Sequence, residues 1–166
     1  MAVRGRAATV DKVSADIAEL LRHFEAGQSE GHYHVALFGL RSYDALAVVD
    51  HIERGLSYAA FERFQRNTDI PPRVLARVAE VPERTLVRRK ESGRFTREES
   101  DRLVRSARIV TRAIELFEGS VDRAQRWLTS PVRALGDRTP IEFASSDVGA
   151  IEVESLIGRL SHGVPT

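Results

Sequence analysis

Residues Val121 to Gly163 read VDRAQRWLTSPVRALGDRTPIEFASSDVGAIEVESLIGRLSHG and carry the strongest folding signals in the chain. The segment opens with apolar residues at the spacing of one helix face: Val121, Ala124, Trp127 and Leu128. Ser130 and Pro131 are predicted to end this helix, because the residue before a proline avoids the α region. Leu135-Gly136-Asp137 then indicates a turn. A first helix followed by a sharp corner is therefore predicted.

Two further helices are predicted after this corner. Thr139 suits an N-cap, Pro140 suits the first helical position, and Glu142 stands three residues after the cap. The closing helix can be capped within Ser145-Ser146-Asp147. Its apolar stripe consists of Val153, Leu156, Ile157 and Leu160. Gly163 suits the left-handed position beyond a helix end, so the whole segment is interpreted as three helices joined by sharp corners.

This order of residues resembles the C-terminal toxin-binding domain of the Xre/MbcA/ParS antitoxin family. The matching residues are Ala124, Trp127, Leu128, Pro131, Leu135, Gly136, Thr139, Pro140, Gly149, Val153, Leu156, Gly163 and Val164. In the resembled family the toxin has a RES domain and consumes NAD, as an NADase or an ADP-ribosyltransferase, and the antitoxin blocks its active site. The alternative interpretation is that these residues only hold a helical corner together, with Trp127 and the leucines in a core.

The resemblance also implies which residues meet the toxin. The closing helix and tail, from Leu156 to Thr166, are expected to approach the toxin's active site. Arg159 and His162 are polar groups on this tail, and Arg159 could imitate, or pair with, what a NAD-binding site expects. The expected toxin-binding residues are Trp127, Leu135, Leu156, Arg159, Leu160, His162, Gly163 and Val164.

Length and composition fit a soluble globular protein with one domain or two small ones. The chain has 166 residues, of which 42% are hydrophobic and 30% are charged. It contains no run of about 18 apolar residues and no apolar signal core near Met1, so neither a membrane span nor secretion is expected. The chain also lacks cysteine, which fits a reducing cytosol. A cytoplasmic location is therefore expected.

Basic residues concentrate in the middle of the chain. Residues 57–118 carry 14 basic and 10 acidic side chains, whereas residues 1–56 carry 6 basic and 8 acidic, and residues 119–166 carry 5 basic and 6 acidic. A local excess of positive charge is what a DNA partner requires. The middle of the chain is therefore the candidate DNA-binding region.

Two short helices joined by a tight turn are predicted within this basic region. The first helix opens at Asp69-Ile70-Pro71-Pro72 and runs to Ala79. The chain turns at Val81-Pro82, and the second helix runs from Glu83 to Glu91. This arrangement is typical of a helix-turn-helix, whose second helix enters the major groove of DNA.

The second of these helices is rich in side chains that bind DNA. Its sequence ERTLVRRK resembles the recognition helix of Xre-like antitoxins, where an Arg-Thr-Leu-x-Arg-Arg-Lys string recurs. Arginine can read guanine through a bidentate fork, and Glu83 could accept a hydrogen bond from a cytosine amino group. Thr85, Arg89 and Lys90 suit phosphates, which set affinity rather than sequence preference. The expected DNA-binding residues are Glu83, Arg84, Thr85, Arg88, Arg89 and Lys90.

Two positions depart from the usual helix-turn-helix pattern. Glu80 stands in the turn, where glycine is usual because a left-handed backbone is often needed there. Pro82 stands where a serine commonly caps the recognition helix. The alternative interpretation is that the helix-turn-helix is kept for packing, with its arginines merely solvated.

The N-terminal region contains one predicted helix and one ambiguous run. Thr9 to Ala26 is predicted to be helical, with an apolar stripe formed by Val10, Val13, Ile17, Leu20, Leu21 and Phe24. This stripe packs either on the rest of the chain or on a second copy. The run from His32 to Phe38 does not distinguish between element types. His32, His34 and His51 lack acidic or cysteine partners at ligand spacing, so no metal site is expected.

Capping residues indicate where the remaining helices begin. Ser42 is a candidate cap for a helix through Ile52, and Ser57 starts the next helix. Thr96 and Glu99 form a capping box for a long helix that ends at Gly119. Every long segment of the chain is therefore predicted to be helical. The predicted fold is all-α, an Xre-like helix-turn-helix bundle followed by a small three-helix toxin-binding domain.

These predictions divide the chain into three regions and give it one expected function. Residues 1–56 form an N-terminal helical region that could dimerise, residues 57–119 the helix-turn-helix region, and residues 120–166 the toxin-binding region. The expected function is that of an antitoxin in a type II toxin–antitoxin module, which binds a RES-domain toxin and operator DNA as a homodimer. The alternative is an Xre-like transcriptional regulator whose C-terminal unit only dimerises. Neither an enzyme activity nor a cofactor is expected, because the sequence lacks a glycine-rich phosphate loop, a nucleophile elbow and a His-Glu-x-x-His motif.

Overall fold

The computed structural model describes residues 13–27 and 31–164. In these ranges the chain forms α-helices and short 3-10 helices and contains no β-strand, which confirms the predicted all-α fold. The elements are α1 (Ala15–Glu25), a first 3-10 helix (Tyr33–Phe38), α2 (Ala45–Arg54), α3 (Tyr58–Thr68), α4 (Pro72–Val78), α5 (Glu83–Ser92), α6 (Arg97–Leu116), α7 (Val121–Leu128), a second 3-10 helix (Arg133–Leu135), α8 (Pro140–Phe143) and α9 (Asp147–Ser161). None of the described helices combines the length and the apolar composition that crossing a membrane requires.

Helix α6 is the element on which most of the others pack. The predicted capping box starts it: the Glu99 N–H donates to the Thr96 hydroxyl at 3.3 Å, and the Thr96 N–H donates to the Glu99 carboxylate at 2.8 Å. One face is buried along the helix and includes Leu103, Ala107, Val110 and Ile114. Helix α6 contacts α2, α4, α7, α8 and α9, so it joins the two halves of the chain.

Helix α1 packs on its own chain. The helix predicted from Thr9 begins at Ala15, with Ser14 as its N-cap, and predicted residues 9–12 lie outside the described ranges. Ile17 and Leu20 are buried, and α1 contacts the first 3-10 helix. Of the two partners expected for the apolar stripe, the residues from Ile17 to Phe24 therefore pack on the rest of the chain, whereas Val13 is exposed.

Asp16 anchors α1 to the body of the protein. Its side chain is buried, and its carboxylate accepts hydrogen bonds from Arg41 at 2.7 Å, Arg63 at 2.7 Å and Asn67 at 2.8 Å. The Asn67 amide also donates to the Leu37 carbonyl at 2.9 Å. Burial raises the pKa of Asp16, but the hydrogen bonds from Asn67, Arg41 and Arg63 outweigh it. The pKa of this carboxyl therefore lies below its ordinary value.

The ambiguous run Tyr33–Phe38 forms a buried 3-10 helix that fills the space between α1, α3 and α6. Helix α2 follows it. The predicted cap at Ser42 was wrong, because Asp44 holds the N-cap position and its carboxylate accepts the Ala47 N–H at 2.9 Å. The helix therefore begins at Ala45.

The C-terminal segment forms the three predicted helices, α7, α8 and α9, with the second 3-10 helix inside the first corner. Helix α7 ends at Leu128, just before the predicted Ser-Pro stop. Thr139 occupies the N-cap position of α8, but its hydroxyl donates to Glu142 at 2.8 Å and accepts no backbone N–H, so the predicted capping box does not form there. Ser146 caps α9 by accepting the Gly149 N–H at 3.1 Å.

Helix α9 ends at the predicted glycine. Gly163 has φ +67°, and its N–H donates to the Leu160 carbonyl at 3.1 Å. The Val164 N–H donates to the Arg159 carbonyl at 3.0 Å. These two bonds form a Schellman motif, which fixes the direction in which the chain leaves the helix.

The hydrophobic core is continuous across the boundary predicted between residues 119 and 120. Buried residues of α3, α4, α6, α7 and α9 belong to one cluster. Helix α4 contacts α8, and the Arg77 guanidinium pairs with the Glu142 carboxylate at 2.5 Å across this contact. The helix-turn-helix region and the C-terminal segment are therefore packed as one body.

Candidate functional site

The turn between α4 and α5 accommodates Glu80 and Pro82, the two residues that depart from the usual helix-turn-helix pattern. Glu80 has φ +55°, which is the left-handed conformation that glycine usually supplies. The Glu80 N–H donates to the Arg77 carbonyl at 3.0 Å, and the Val81 N–H donates to the Ala76 carbonyl at 2.8 Å. The Glu80 carboxylate pairs with Arg102 of α6 at 3.1 Å. The turn therefore has the tight geometry of a helix-turn-helix, and an ion pair to α6 holds the residue that departs from the pattern.

Helix α5 presents a mixed charged face to solvent. Arg84 and Arg88 are exposed on this face, and the Arg88 guanidinium donates to the half-buried Thr85 hydroxyl at 3.2 Å. Glu83 and Lys90 are also exposed. The structure therefore exposes Glu83, Arg84, Arg88 and Lys90 among the six predicted DNA-binding side chains and leaves Thr85 half-buried.

Arg89, the sixth residue, turns toward the body of the protein. Its Nε donates to Glu99 Oε2 at 2.8 Å and its Nη2 donates to Glu99 Oε1 at 3.0 Å. Burial raises the pKa of Glu99, but the hydrogen bonds from Arg89 and from the Thr96 backbone outweigh it and place that pKa below its ordinary value. Arg89 thus ties α5 to the start of α6, whereas the sequence suggested a phosphate contact.

Val87 is a candidate DNA contact that the sequence analysis missed. Its side chain is 57% exposed and lies on the same face of α5 as Arg84 and Arg88. An aliphatic side chain in the major groove can contact the methyl group of thymine. The sequence could have indicated this contact, because Val87 stands three residues after Arg84 and one before Arg88.

The C-terminal candidates divide into core residues and surface residues. Leu135 and Leu156 are buried in the core. Trp127 and Leu160 are half-buried, and the Trp127 ring packs 6.2 Å from the ring of Phe117, measured between centroids. Leu135 is 6% and Leu156 1% exposed, so in the free protein these two side chains offer little surface for the expected toxin contacts.

The polar candidates are at the surface near the end of α9. Arg159 and His162 are exposed. The Arg159 guanidinium donates to the Ser155 hydroxyl at 2.9 Å, and the His162 ring Nδ1 bonds to the Gly158 carbonyl at 2.7 Å. Gly163 and Val164, which complete the Schellman motif, are exposed beside them. Pro165 and Thr166, which end the tail that is expected to approach the toxin, lie outside the described ranges.

The first half of α9 adds an apolar surface that the sequence analysis did not single out. Val148 is 74% exposed and Ile151 is 61% exposed. Residues three, four and seven apart share one side of a helix, so these two side chains lie in line with the polar candidates. The surface formed by Val148, Ile151, Glu152, Ser155, Gly158, Arg159 and His162 is called here the outer face of α9.

His34 lies within the first 3-10 helix, and His32 holds its N-cap position. The His32 and His34 rings lie edge to face, 5.7 Å apart between centroids. Burial, followed by the nearby His32 and Arg108, lowers the pKa of His34 to about 3. Among the described residues, no group of three or more His, Cys, Asp or Glu side chains is placed to hold a metal ion.

Two family models match the chain. Residues 47–108 match an antitoxin Xre-like helix-turn-helix domain, and residues 112–163 match an antitoxin Xre/MbcA/ParS C-terminal toxin-binding domain. A protein from Yersinia enterocolitica named antitoxin Xre is 38% identical over 127 residues, which are 76% of this chain and 86% of that protein. The chain belongs to the Xre/MbcA/ParS antitoxin family.

Two further members of the family are similar to this chain. An antitoxin Xre from Photorhabdus laumondii is 33% identical over 114 residues, which are 68% of this chain and 77% of that protein. An antitoxin Xre from Pseudomonas putida is 36% identical over 84 residues, which are 50% of this chain and 52% of that protein. This antitoxin therefore has the helix-turn-helix and the toxin-binding domain of its family, and the two matched stretches meet within α6.

Proposed function

We propose that this antitoxin neutralises a cognate RES-domain toxin by covering the toxin's active site with the outer face of α9. The toxin-binding family model spans residues 112–163, and α9 carries the exposed apolar pair Val148 and Ile151 of that span. Arg159 and His162 extend the same surface toward the C-terminus. This surface combines aliphatic contact area with a guanidinium, which can pair with a carboxylate of the toxin, and an imidazole, which can take part in a hydrogen bond.

The toxin in this proposal consumes NAD, as an NADase or an ADP-ribosyltransferase. The test is co-expression of the antitoxin with the toxin encoded beside it, with growth and cellular NAD measured together. Wild-type antitoxin is expected to restore both growth and NAD. Rescue of growth at an unchanged NAD level would show that the toxin has a different substrate. Failure of the antitoxin to restore growth would contradict the proposal.

The second part of the proposal is that α5 binds operator DNA. Arg84 and Arg88 are exposed on its outer face, with Val87 between them. Arginine side chains in the major groove can read guanine, while Lys90 suits a phosphate. Binding to the promoter fragment of the antitoxin's own operon, compared with a scrambled fragment at several salt concentrations, tests this part.

A homodimer completes the proposal. Leu46 of α2 is 83% exposed, and Val49 one turn later is also exposed, so α2 carries an apolar surface within residues 1–56. A second copy related by a two-fold axis could cover both surfaces at once. Sedimentation of the wild type and of a Leu46→Ser variant tests this part, and the variant is expected to be monomeric. The alternative function, a regulator whose C-terminal unit only dimerises, predicts that no toxin co-purifies and that α9 variants change only the oligomeric state.

A further inference from the structure

Gly158 is a glycine that the fold does not require. It lies inside α9, where glycine costs about 1 kcal/mol of helix stability relative to alanine. Its backbone is helical, and apart from its chain neighbours and the surrounding backbone of α9, a Cβ atom built on it would meet no described atom within 4 Å. An alanine would therefore fit here and favour the helix, so the free protein offers no reason for the glycine.

The other glycine of α9 shows what a structural requirement looks like. A Cβ atom on Gly149 would lie 1.8 Å from the carbonyl oxygen of Phe143. Helix α8 approaches the start of α9 so closely there that only glycine fits. Two glycines of one helix thus have different explanations: Gly149 permits contact within the chain, and Gly158 leaves the helix backbone open on the outside.

Gly158 is half-buried and carries no side chain, so it leaves a gap in the row of side chains on the outer face of α9, called here the notch. Ile151, Ser155 and His162 stand seven and three residues before it and four after it, so they share its side of α9. Ile151 is exposed, and the His162 ring is held against the Gly158 carbonyl by the 2.7 Å hydrogen bond from Nδ1. Along α9 the notch therefore lies between Ser155, one turn before it, and the His162 ring, one turn after it, with Ile151 a further turn toward the N-terminus.

We propose that this notch receives a protruding apolar or aromatic side chain of the cognate toxin, which packs directly on the α9 backbone at Gly158. The inference rests on the proposed toxin-binding function of the outer face of α9. The toxin is the occupant because the notch continues the surface formed by Val148, Ile151 and Arg159 within the stretch that matches the toxin-binding domain. Gly158 is then a specificity-determining residue, since any side chain there fills the space that the toxin needs.

Replacing Gly158 by alanine is expected to stabilise the fold and to weaken binding to the toxin. In the full-length antitoxin, Gly158→Ala should raise the midpoint of urea unfolding and weaken binding to purified cognate toxin by about tenfold. Gly158→Leu should weaken it by at least a hundredfold while remaining folded. Glu62→Leu, at an exposed helical position on α3, controls for adding a surface leucine and should bind toxin as the wild type does.

The outcomes separate this inference from the proposed function. If the wild type does not bind the cognate toxin, the proposed function is wrong and the notch has no toxin to receive. If the wild type binds and Gly158→Leu binds equally well, the proposed function stands and the notch inference is overturned. A loss of self-association in Gly158→Leu with unchanged toxin affinity would assign the notch to a second copy and would also overturn it. A lower unfolding midpoint for Gly158→Ala would show that the fold requires the glycine, and this result too would count against the inference.

Discussion

The guanidinium of Arg89 and the carboxylate of Glu99 are joined by two parallel hydrogen bonds of 2.8 and 3.0 Å. Glu99 also accepts the Thr96 N–H at 2.8 Å, so one carboxylate both caps α6 and holds the end of α5. Planar, bidentate pairs of this kind fix orientation as well as distance. The angle of the candidate recognition helix is therefore set by the start of α6.

Arg89→Ala should weaken operator binding through the position of α5. The variant loses two charge-assisted hydrogen bonds from a mostly buried pair, so the free energy of unfolding should fall by about 2 kcal/mol. The slope of log affinity against log salt should stay at the wild-type value, because no phosphate contact is lost. Urea unfolding and DNA binding at several salt concentrations measure both quantities. A slope shallower by about one would instead place Arg89 on a phosphate.

Arg84→Ala combined with Arg88→Ala should abolish operator binding and preserve toxin binding. Each arginine that reads a guanine contributes about 1–3 kcal/mol of discrimination, so the double variant should bind the operator no better than scrambled DNA. Both side chains are exposed, so the unfolding midpoint should change little. Arg126→Ala removes an exposed arginine of α7 and is the matched control. Loss of toxin affinity in the double variant would argue against separate surfaces.

Arg159→Ala combined with His162→Ala should impair toxin neutralisation without lowering stability by more than about 0.5 kcal/mol, since both side chains are exposed. The readouts are growth rescue during co-expression and the toxin affinity of the purified protein. Operator binding by the same variant serves as the control and should be unchanged. Full rescue by both single variants and by the double variant would show that this end of α9 does not meet the toxin.

Leu156→Ala and Ile151→Ala should have different effects, although both remove an aliphatic side chain from α9. Leu156 is 1% exposed, so truncation should lower the free energy of unfolding by about 2–5 kcal/mol. Ile151 is largely exposed, so its truncation should leave stability nearly unchanged and weaken toxin binding. Chemical unfolding of both variants, followed by affinity measurement on the folded fraction, distinguishes them. Equal stability losses would contradict the assignment of one residue to the core and one to the surface.

Asp16 should make the stability of the antitoxin fall in acid. Its pKa is lowered in the folded state, so its ionised form is stabilising above the unfolded pKa of about 4. That contribution is lost as the pH falls through the folded value. Asp16→Asn should therefore cost about 2 kcal/mol at pH 7, and the difference from the wild type should shrink below pH 4. Urea titrations between pH 3 and 7 measure this, and a difference that does not depend on pH would assign the loss to packing alone.

Local signals predicted most of the helices, because their ends are set by neighbouring residues. Thr96 with Glu99 and Gly163 formed the predicted motifs from side chains only a few residues apart. Arg89 and Asp16 could not be interpreted in this way. Their partners lie 10, and 25 to 51, residues away along the chain, and only the packed fold brings them together.

Exposure was the property of the candidate site that sequence could not supply. Leu156 was predicted both in the apolar stripe of α9 and as a toxin contact, and only the structure shows that it is 1% exposed while Ile151 is 61% exposed. At Glu80 the sequence suggested a difficulty that the structure does not have. Glutamate is unusual at a turn position that needs a left-handed backbone, yet this backbone forms at Glu80, and its carboxylate pairs with Arg102.

The shared packing around α6 has a consequence for exchanging parts between family members. A chimaera joined in the loop at Gly119 would place foreign apolar side chains against a resident α6 whose face was shaped for others. A working graft must carry α6 together with α7 to α9, and with it the glutamate that holds the end of α5. Exchanging the whole C-terminal segment therefore also brings in a new support for the helix that we propose to bind DNA.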